Sequence, residues 1–327
     1  MKEAKYWEKL DDSKVQCRLC PHHCKLRPDK QGICKNKLNV NGKLFASHYG
    51  EISALNLDPI EKKPLYHFHP GEMILSVGTQ GCNLACSFCQ NYHLWDGDVP
   101  TSKAMPADIV SAARRQHSFG IAYTYNEPYM SFEYVLDTAR LARDAGLKNV
   151  MVTNGFYNPE PLEELLPLID AMNIDLKSIR DDYYKKLCHG RVEPVMKTIA
   201  RAAQDCLVEV TTLLVTGEND SDQDISDLVD FIASVGDVPL HFSAYHPMYT
   251  LDNPPTPMKK LLRAYEIGRQ KLNYVYLGNV MADVGNDSTC PSCNAVLVRR
   301  RGYTTTIRDL KNGKCQKCDN PVKFIGK

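Results

Sequence analysis

From Met73 onward, short apolar runs of strand length alternate with amphipathic helical stretches, and that order leaves few folds open to the chain. It predicts repeated βα units and a parallel sheet. Strands are expected at Met73–Val77, Ile121–Tyr125, Asn149–Thr153, Ala171–Leu176, Cys206–Val215 and Leu240–Tyr245, with Tyr274–Leu277 as a candidate seventh. Helices are expected over Ala107–His117, Ser131–Ala145, Pro161–Leu168, Val195–Gln204, Ile225–Ala233 and Met258–Leu272. Leu228, Phe231 and Ile232 give one of them an apolar face at helical spacing. Asn158-Pro159 and Thr256-Pro257 set a cap-type residue ahead of Pro, and Gly146 follows Ala145 where a left-handed terminator belongs.

The chain has 327 residues, enough for one large core with smaller appendages. Residues 1–70 lack periodicity and read as an N-terminal Cys-rich, metal-bound extension; 71–284 form the core; 285–327 follow a polar, turn-rich linker. Lys and Arg number 40 against 39 Asp and Glu, so no bulk electrostatic partner such as duplex DNA or an anionic membrane is implied. No stretch approaches the ~18–20 continuous apolar residues of a membrane span, and Met1-Lys2-Glu3-Ala4-Lys5 opens a polar start. A cytoplasmic location is expected.

Thirteen cysteines would suggest disulfides in a small secreted chain, but here eleven fall into three tight groups at metal-ligand spacing. The central group is Cys82-x3-Cys86-x2-Cys89, three thiols within eight residues and no fourth. A closed structural site wants four protein ligands, whereas an iron–sulfur cubane held by three cysteines leaves one iron free for an exogenous molecule. The plainer reading is a zinc knuckle that borrows His93, but it leaves the strand-end residues unexplained.

In parallel α/β folds the loops after the strands gather at one face, where polar residues converge on a ligand. The triplet follows the first expected strand. Tyr125-Asn126-Glu127-Pro128, Thr153-Asn154-Gly155, Asp175-Leu176-Lys177 and His246-Pro247 follow the second, third, fourth and sixth.

With the triplet and its aromatic Phe88, these segments resemble the radical S-adenosylmethionine enzymes, in the branch of the pyruvate formate-lyase-activating enzymes. The resemblance implies a partial (β/α)6 barrel, a [4Fe-4S] cluster on Cys82, Cys86 and Cys89, and S-adenosyl-L-methionine chelated at the open iron. Reductive cleavage to a 5′-deoxyadenosyl radical would follow, with hydrogen abstraction from a small-molecule substrate or partner protein and electrons from a donor such as flavodoxin or ferredoxin. By the same resemblance Glu127 meets the substrate amine, Lys177 with Asp175 faces the carboxylate, and Asn154 and His246 lie near the ribose and adenine. Tyr125 and Asn126 stand where the family has two glycines, and Val152 and Thr211 replace an Asp and an Arg.

A closer resemblance spans nearly the whole chain. Cys17-Arg18-Leu19-Cys20-Pro21-His22-His23-Cys24 with Gly32-Ile33-Cys34, then Leu65–Pro70, Cys82–Asn91, Thr124–Pro128 and the final Cys pairs, are similar to the radical enzyme of the AmmeMemoRadiSam systems. That likeness implies Memo-like and Amme-type companion proteins.

Cys290-x2-Cys293 and Cys315-x2-Cys318 flank an expected hairpin of Val296–Arg299 and Tyr303–Ile307, the signature of a zinc-ribbon-like module. Four thiolates there suit structural zinc or a lone iron. Cys17, Cys20, Cys24 and Cys34 suit either a second metal staple or an auxiliary iron–sulfur cluster. Cys188 reads as an inert small residue or, more sharply, as a hydrogen donor at the mouth of the barrel, and Cys206 as core. Arg299-Arg300-Arg301 reads as a solvated edge before it reads as a nucleic-acid contact.

Two rival functions stay open. A glycyl-radical activase would act on the backbone of a large partner protein, although no cluster insertion follows Cys89. A non-enzymatic electron carrier or metal-dependent binding module would hold clusters yet release no 5′-deoxyadenosine.

Overall fold

The computed structural model describes residues 1–95 and 98–327. Its centre is an eight-stranded sheet whose strands lie side by side in chain order. They are β1 (Ala54–Pro59), β2 (Met73–Gly78), β3 (Gly120–Tyr123), β4 (Lys148–Thr153), β5 (Ala171–Asp175), β6 (Leu207–Leu214), β7 (Leu240–Ala244) and β8 (Val275–Gly278). β1 pairs antiparallel with β2, and every later neighbour is parallel. The six expected strands and the candidate seventh are all in place. β1 lies within the segment set apart as an extension, so residues 1–70 contribute a strand to the main sheet.

Helices α1 (Pro106–Arg115), α2 (Phe132–Asp144), α3 (Pro159–Leu165), α4 (Val192–Ala202), α5 (Asp222–Val235) and α6 (Met258–Arg269) connect the parallel strands. α4 turns Val195, Ile199 and Ala202 onto the sheet, all fully buried, and each large aliphatic side chain so buried contributes about 1.5–3 kcal/mol. Ser221 caps α5 by accepting from the Asp224 N–H at 3.1 Å. Gly146 ends α2 at φ +75°, as expected. Thr256 does not cap α6: its hydroxyl lies between the Tyr245 N–H and the Leu214 carbonyl and ties the helix entry to β6 and β7. β3 is buried along its whole length, which is why it reads as a continuous apolar run.

The first fifty residues, aperiodic in sequence, form two small antiparallel sheets. One joins Lys2–Glu3, Lys43–Ala46 and Lys37–Val40, and the other joins Trp7–Lys9, Val15–Cys17 and Lys25–Leu26. Between β1 and β2 the chain threads the interior side of the sheet. His67 donates its N–H to Glu209 of β6 at 2.7 Å, and its Nε2 meets the Tyr276 hydroxyl of β8 at 2.7 Å. Its ring stacks on Phe324, which links the C-terminal module to the same core.

That module carries the expected hairpin as β9 (Val296–Arg301) and β10 (Thr304–Ile307). Its basic run is not a solvated edge throughout. Strand alternation turns Arg300 inward, where it is 1% exposed, donates to the Tyr66 carbonyl at 2.6 Å and to Ser288 Oγ at 2.9 Å, and covers the Tyr66 ring. Arg299 and Arg301 point outward and pair with Asp287.

Candidate active site

Past the C-terminal ends of the strands lies a cleft of ≈ 590 Å³. Cys82, Cys86, Phe88, Cys89, Glu127, Asn154, Asp175 and Lys177 all line it. His246 does not. Tyr245, which follows β7, turns inward and donates its hydroxyl to the Leu251 carbonyl, leaving His246 exposed at the surface.

The triplet loop is held on both sides. Ala85 and Ser87 donate backbone N–H groups to the Cys188 and Leu187 carbonyls at 3.0 and 2.9 Å, and Thr250 and Leu251 both donate to the Ser87 carbonyl at 3.0 Å. Asn83 donates from Nδ2 to the Phe156 carbonyl at 2.8 Å. Gly81, just before Cys82, sits at φ +90°, and a Cβ there would fall 2.3 Å from the Cys34 carbonyl oxygen, so only glycine fits. Cys82 Sγ accepts from the Leu84 N–H at 3.4 Å and faces Asn154 Nδ2 at 3.7 Å. The Cys188 thiol lies against Cys86 and lowers its pKa by hydrogen bonding, against the opposing effect of burial. Cys188 is fully buried and does not line the cleft, so it is not a hydrogen donor at the mouth. Cys206 lies just ahead of β6, half-buried.

Glu127 is 2% exposed. Its carboxylate accepts from the Asn154 N–H at 2.7 Å, Thr153 Oγ1 at 2.8 Å, the Tyr129 N–H at 3.1 Å and the Tyr157 hydroxyl at 3.2 Å. Burial pushes its pKa up to about 7 in spite of these donors. The side chain thus both caps the turn Pro128–Ser131 and presents a buried carboxylate to the cleft. Lys177 pairs with Asp175 at 3.0 Å. Burial alone would lower its pKa, but Asp175 and the Cys86 and Cys188 sulfurs raise it well above the usual lysine value. Its ammonium lies 5.9 Å from the centre of the Phe88 ring.

Several lining residues escaped the sequence reading. Lys62, Lys63 and Pro64 come from the connector before β2, Ser243 and Asn279 from the far edge of the sheet, and Tyr303 from the tip of the β9–β10 hairpin. The doubled lysine beside Pro64 was the only signal for them, and it read as linker.

The cysteine groups differ in spread. In the C-terminal module all four sulfurs lie within 4.8 Å of one another, with Cys290 to Cys318 and Cys293 to Cys315 each at 3.6 Å. One tetrahedral ion with bonds of about 2.3 Å requires sulfurs about 3.8 Å apart, so the set fits a single zinc or iron. Among the described residues no other cysteines gather in this way. The triplet sulfurs are too dispersed for one ion but line one cleft, a donor set that fits a cluster with an iron in front of each thiolate.

A profile for the radical SAM superfamily matches residues 76–232. The chain is 41% identical over 335 residues to an uncharacterized protein of Methanocaldococcus jannaschii, covering 99% of this chain and all of that one. It is 26% identical over 206 residues to the pyruvate formate-lyase 1-activating enzyme of Escherichia coli K12, covering 56% of this chain and 82% of the enzyme. In fold it is similar to Streptococcus suis SuiB bound to S-adenosylmethionine, with a TM-score of 0.51 at 16% identity over 65% of this chain and 50% of SuiB. No helix among the described residues is long and apolar enough to cross a membrane.

Proposed function

Because the chain belongs to the radical SAM superfamily, we propose that it binds a [4Fe-4S] cluster through Cys82, Cys86 and Cys89 and cleaves S-adenosylmethionine reductively. The observation that carries this reading is the meeting of three thiols with Glu127, Asn154, Asp175 and Lys177 in one cleft. When bound, the cluster and S-adenosylmethionine supply an electron and a 5′-deoxyadenosyl radical that takes hydrogen from a substrate.

The protein's own groups supply position. Lys177, restrained by Asp175, offers a fixed cation to a carboxylate. Glu127 offers a buried carboxylate to an ammonium, and Asn154 links that carboxylate to Cys82. The apolar rings of Phe88 and Tyr125 line the same space and limit the water that reaches a reactive intermediate.

On the same reading the chain is a six-unit barrel spanning 71–284, to which the Cys-rich segment 1–70 adds β1, followed by a zinc-held ribbon at 285–327. We place it with the radical enzymes of the AmmeMemoRadiSam systems, working in the cytoplasm with a flavodoxin- or ferredoxin-type donor and Memo-like and Amme-type companions. The test is anaerobic reconstitution with iron and sulfide, reduction in the presence of S-adenosylmethionine, and mass spectrometry for 5′-deoxyadenosine. The nucleoside should form and should vanish in each of the Cys82→Ala, Cys86→Ala and Cys89→Ala variants. A protein that loads its cluster yet forms none is an electron carrier or binding module.

A second reading, glycyl-radical activation of a partner protein, is favoured by the similarity to the pyruvate formate-lyase 1-activating enzyme. It requires the abstracted hydrogen to come from a glycine Cα, which deuterium transfer into 5′-deoxyadenosine would reveal.

A further inference from the structure

Cys17, Cys20, Cys24 and Cys34 line one small cavity of ≈ 10 Å³, together with Leu19, His23, Ile33, Lys37 and Met130. None of the four is in a disulfide. In contrast to the C-terminal four, no three of these sulfurs lie within 4.8 Å of one another. A single zinc or iron would demand that closeness. Four thiolates spread around a shared space suit a centre that puts a separate metal atom before each sulfur.

The surroundings suit metal-bound thiolates. Backbone N–H groups of Leu19 and His22 point at the Cys17 and Cys20 sulfurs, and those of Asn36 and Lys37 at the Cys34 sulfur. Donors of this kind stabilise thiolates and inorganic sulfide alike. At Gly32 a Cβ would stand 3.7 Å from Cys34 Sγ and 3.9 Å from Cys24 Sγ, so a longer side chain there would project among the sulfurs. The remaining wall is apolar, apart from His23 and from Lys37, which is paired with Glu133.

The cavity also abuts the candidate active site. The Cys34 carbonyl occupies the space that a Gly81 side chain would need, one residue from Cys82. His22, between Cys20 and Cys24, meets the Asn83 carbonyl at 2.7 Å on the other side of Cys82. Asn36 donates to the Gln80 carbonyl at 3.3 Å. The four-cysteine loop therefore packs on the triplet loop from both sides of Cys82.

We propose that Cys17, Cys20, Cys24 and Cys34 hold an iron–sulfur cluster of their own, distinct from the one assigned to the triplet, in place of a single structural ion.

Acid-labile sulfide distinguishes the two, because neither a zinc site nor a lone iron contains any. The full-length Cys82→Ala/Cys86→Ala/Cys89→Ala protein, reconstituted anaerobically, should retain iron, sulfide and a cluster Mössbauer signal. Adding Cys20→Ser and Cys34→Ser should abolish the sulfide while leaving the single ion of the C-terminal module. The wild-type protein should carry about twice the sulfide of the triplet-free variant if both clusters are cubanes. A triplet-free protein that folds, holds zinc at two sites and contains no sulfide overturns the proposal. So does full sulfide retention after the Cys20→Ser/Cys34→Ser change. The triplet-free variant leaves the N-terminal thiols intact, so its sulfide content decides the matter even if the five-fold variant fails to fold. Because the readout is sulfide and not 5′-deoxyadenosine, its failure is separate from any failure of the proposed activity.

Discussion

The hydroxyl of Tyr125 donates to Asp58 Oδ2 at 2.5 Å, and the Lys63 ammonium, itself 2.7 Å from that carboxylate, lies 4.5 Å from the centre of the Tyr125 ring. Tyr125 holds φ at +76°, a left-handed conformation that costs a residue with a Cβ about 1–2 kcal/mol. It stands in a position where the resembling family has glycine, and its phenol anchors the strained backbone to β1. Burial would raise the Asp58 pKa, but Lys63, Tyr125 and Lys62 together hold it well below the usual carboxylate range. The loop that presents Glu127 is thus tied to the connector that lines the cleft beside it.

Tyr125→Phe keeps the ring and the left-handed backbone but removes the donor to a buried carboxylate. The expected loss is about 1–2 kcal/mol in urea or guanidinium unfolding, with Asp58→Asn losing more because Lys63 is then left buried and unpaired. An unchanged midpoint for Tyr125→Phe would mean the bond does not hold the loop.

Glu127 accepts from four donors and donates to none, so Glu127→Gln forces an amide NH2 against N–H and O–H groups. It should destabilise the fold by about 1–3 kcal/mol and weaken binding of S-adenosylmethionine in equilibrium dialysis. Glu127→Asp, which keeps the charge but shortens the reach, should lose less stability. If Gln changes stability and leaves ligand affinity untouched, Glu127 acts only as the cap of the following turn.

His67 is 1% exposed, and burial, opposed in part by Glu209, lowers its pKa to about 4. The folded value lies below the unfolded value of about 6.5, so the unfolded chain takes up the proton first as pH falls. Its contribution is complete above about pH 6.5 and is lost between there and pH 4, a change of about 3 kcal/mol. Melting temperatures measured across this window should fall with pH, and His67→Gln should flatten the slope. An equal slope in both proteins would assign the acid sensitivity elsewhere.

Much of the core was legible because parallel strands buried on both faces, such as Ile121 to Tyr123, leave a continuous apolar record, and the helices between them a periodic one. The cleft was legible where chemistry is local to a strand end, as at Cys82, Glu127 and Lys177. What escaped depends on long-range packing. β1 carries exposed as well as buried positions and read as part of an extension until it paired with β2. His246 follows a strand in sequence, yet the inward turn of Tyr245 sends it to the surface, and nothing local to His246 encodes that. Arg300 looks like its neighbours in sequence; only the hairpin register sends it inward toward Tyr66 and Ser288. Tyr303 lies more than a hundred residues from Glu127 and Lys177 in sequence and reaches their cleft only through the packing of the hairpin.

The fully buried Cys188 thiol lies close enough to Cys86 to act as a donor that lowers its pKa. Donors to a ligating sulfur stabilise the more electron-rich, reduced state, so the reduction potential of a cluster on the triplet should fall when this donor is removed. Cys188→Ala should still load iron and sulfide at the triplet, since Cys82, Cys86 and Cys89 remain, but should shift the potential to a more negative value in an EPR-monitored titration. Cys188→Ser, which restores a donor of nearly the same size, should recover part of the shift. Loss of the cluster itself in Cys188→Ala, with the fold intact by circular dichroism, would instead make Cys188 a ligand and contradict the three-thiolate assignment.

The C-terminal module should fail independently of the triplet. Cys290 is fully buried and packs with Leu297, Val298 and Phe324, while Cys293 and Cys318 are exposed, so a chelator has access to the metal from one side only. Four thiolates on one ion make metal binding part of the folding free energy of so small a unit. Cys290→Ala should remove one equivalent of metal and make the chain susceptible to protease beyond the turn-rich segment Asp283–Asp287. It should also lower the first thermal transition, because Arg300 and Phe324 no longer hold the connector through Tyr66 and His67. The absorption and EPR signals of a reduced cluster on Cys82, Cys86 and Cys89 should persist at wild-type intensity per folded chain. Their loss in a protein that keeps its main transition would mean that the two metal sites are not separate.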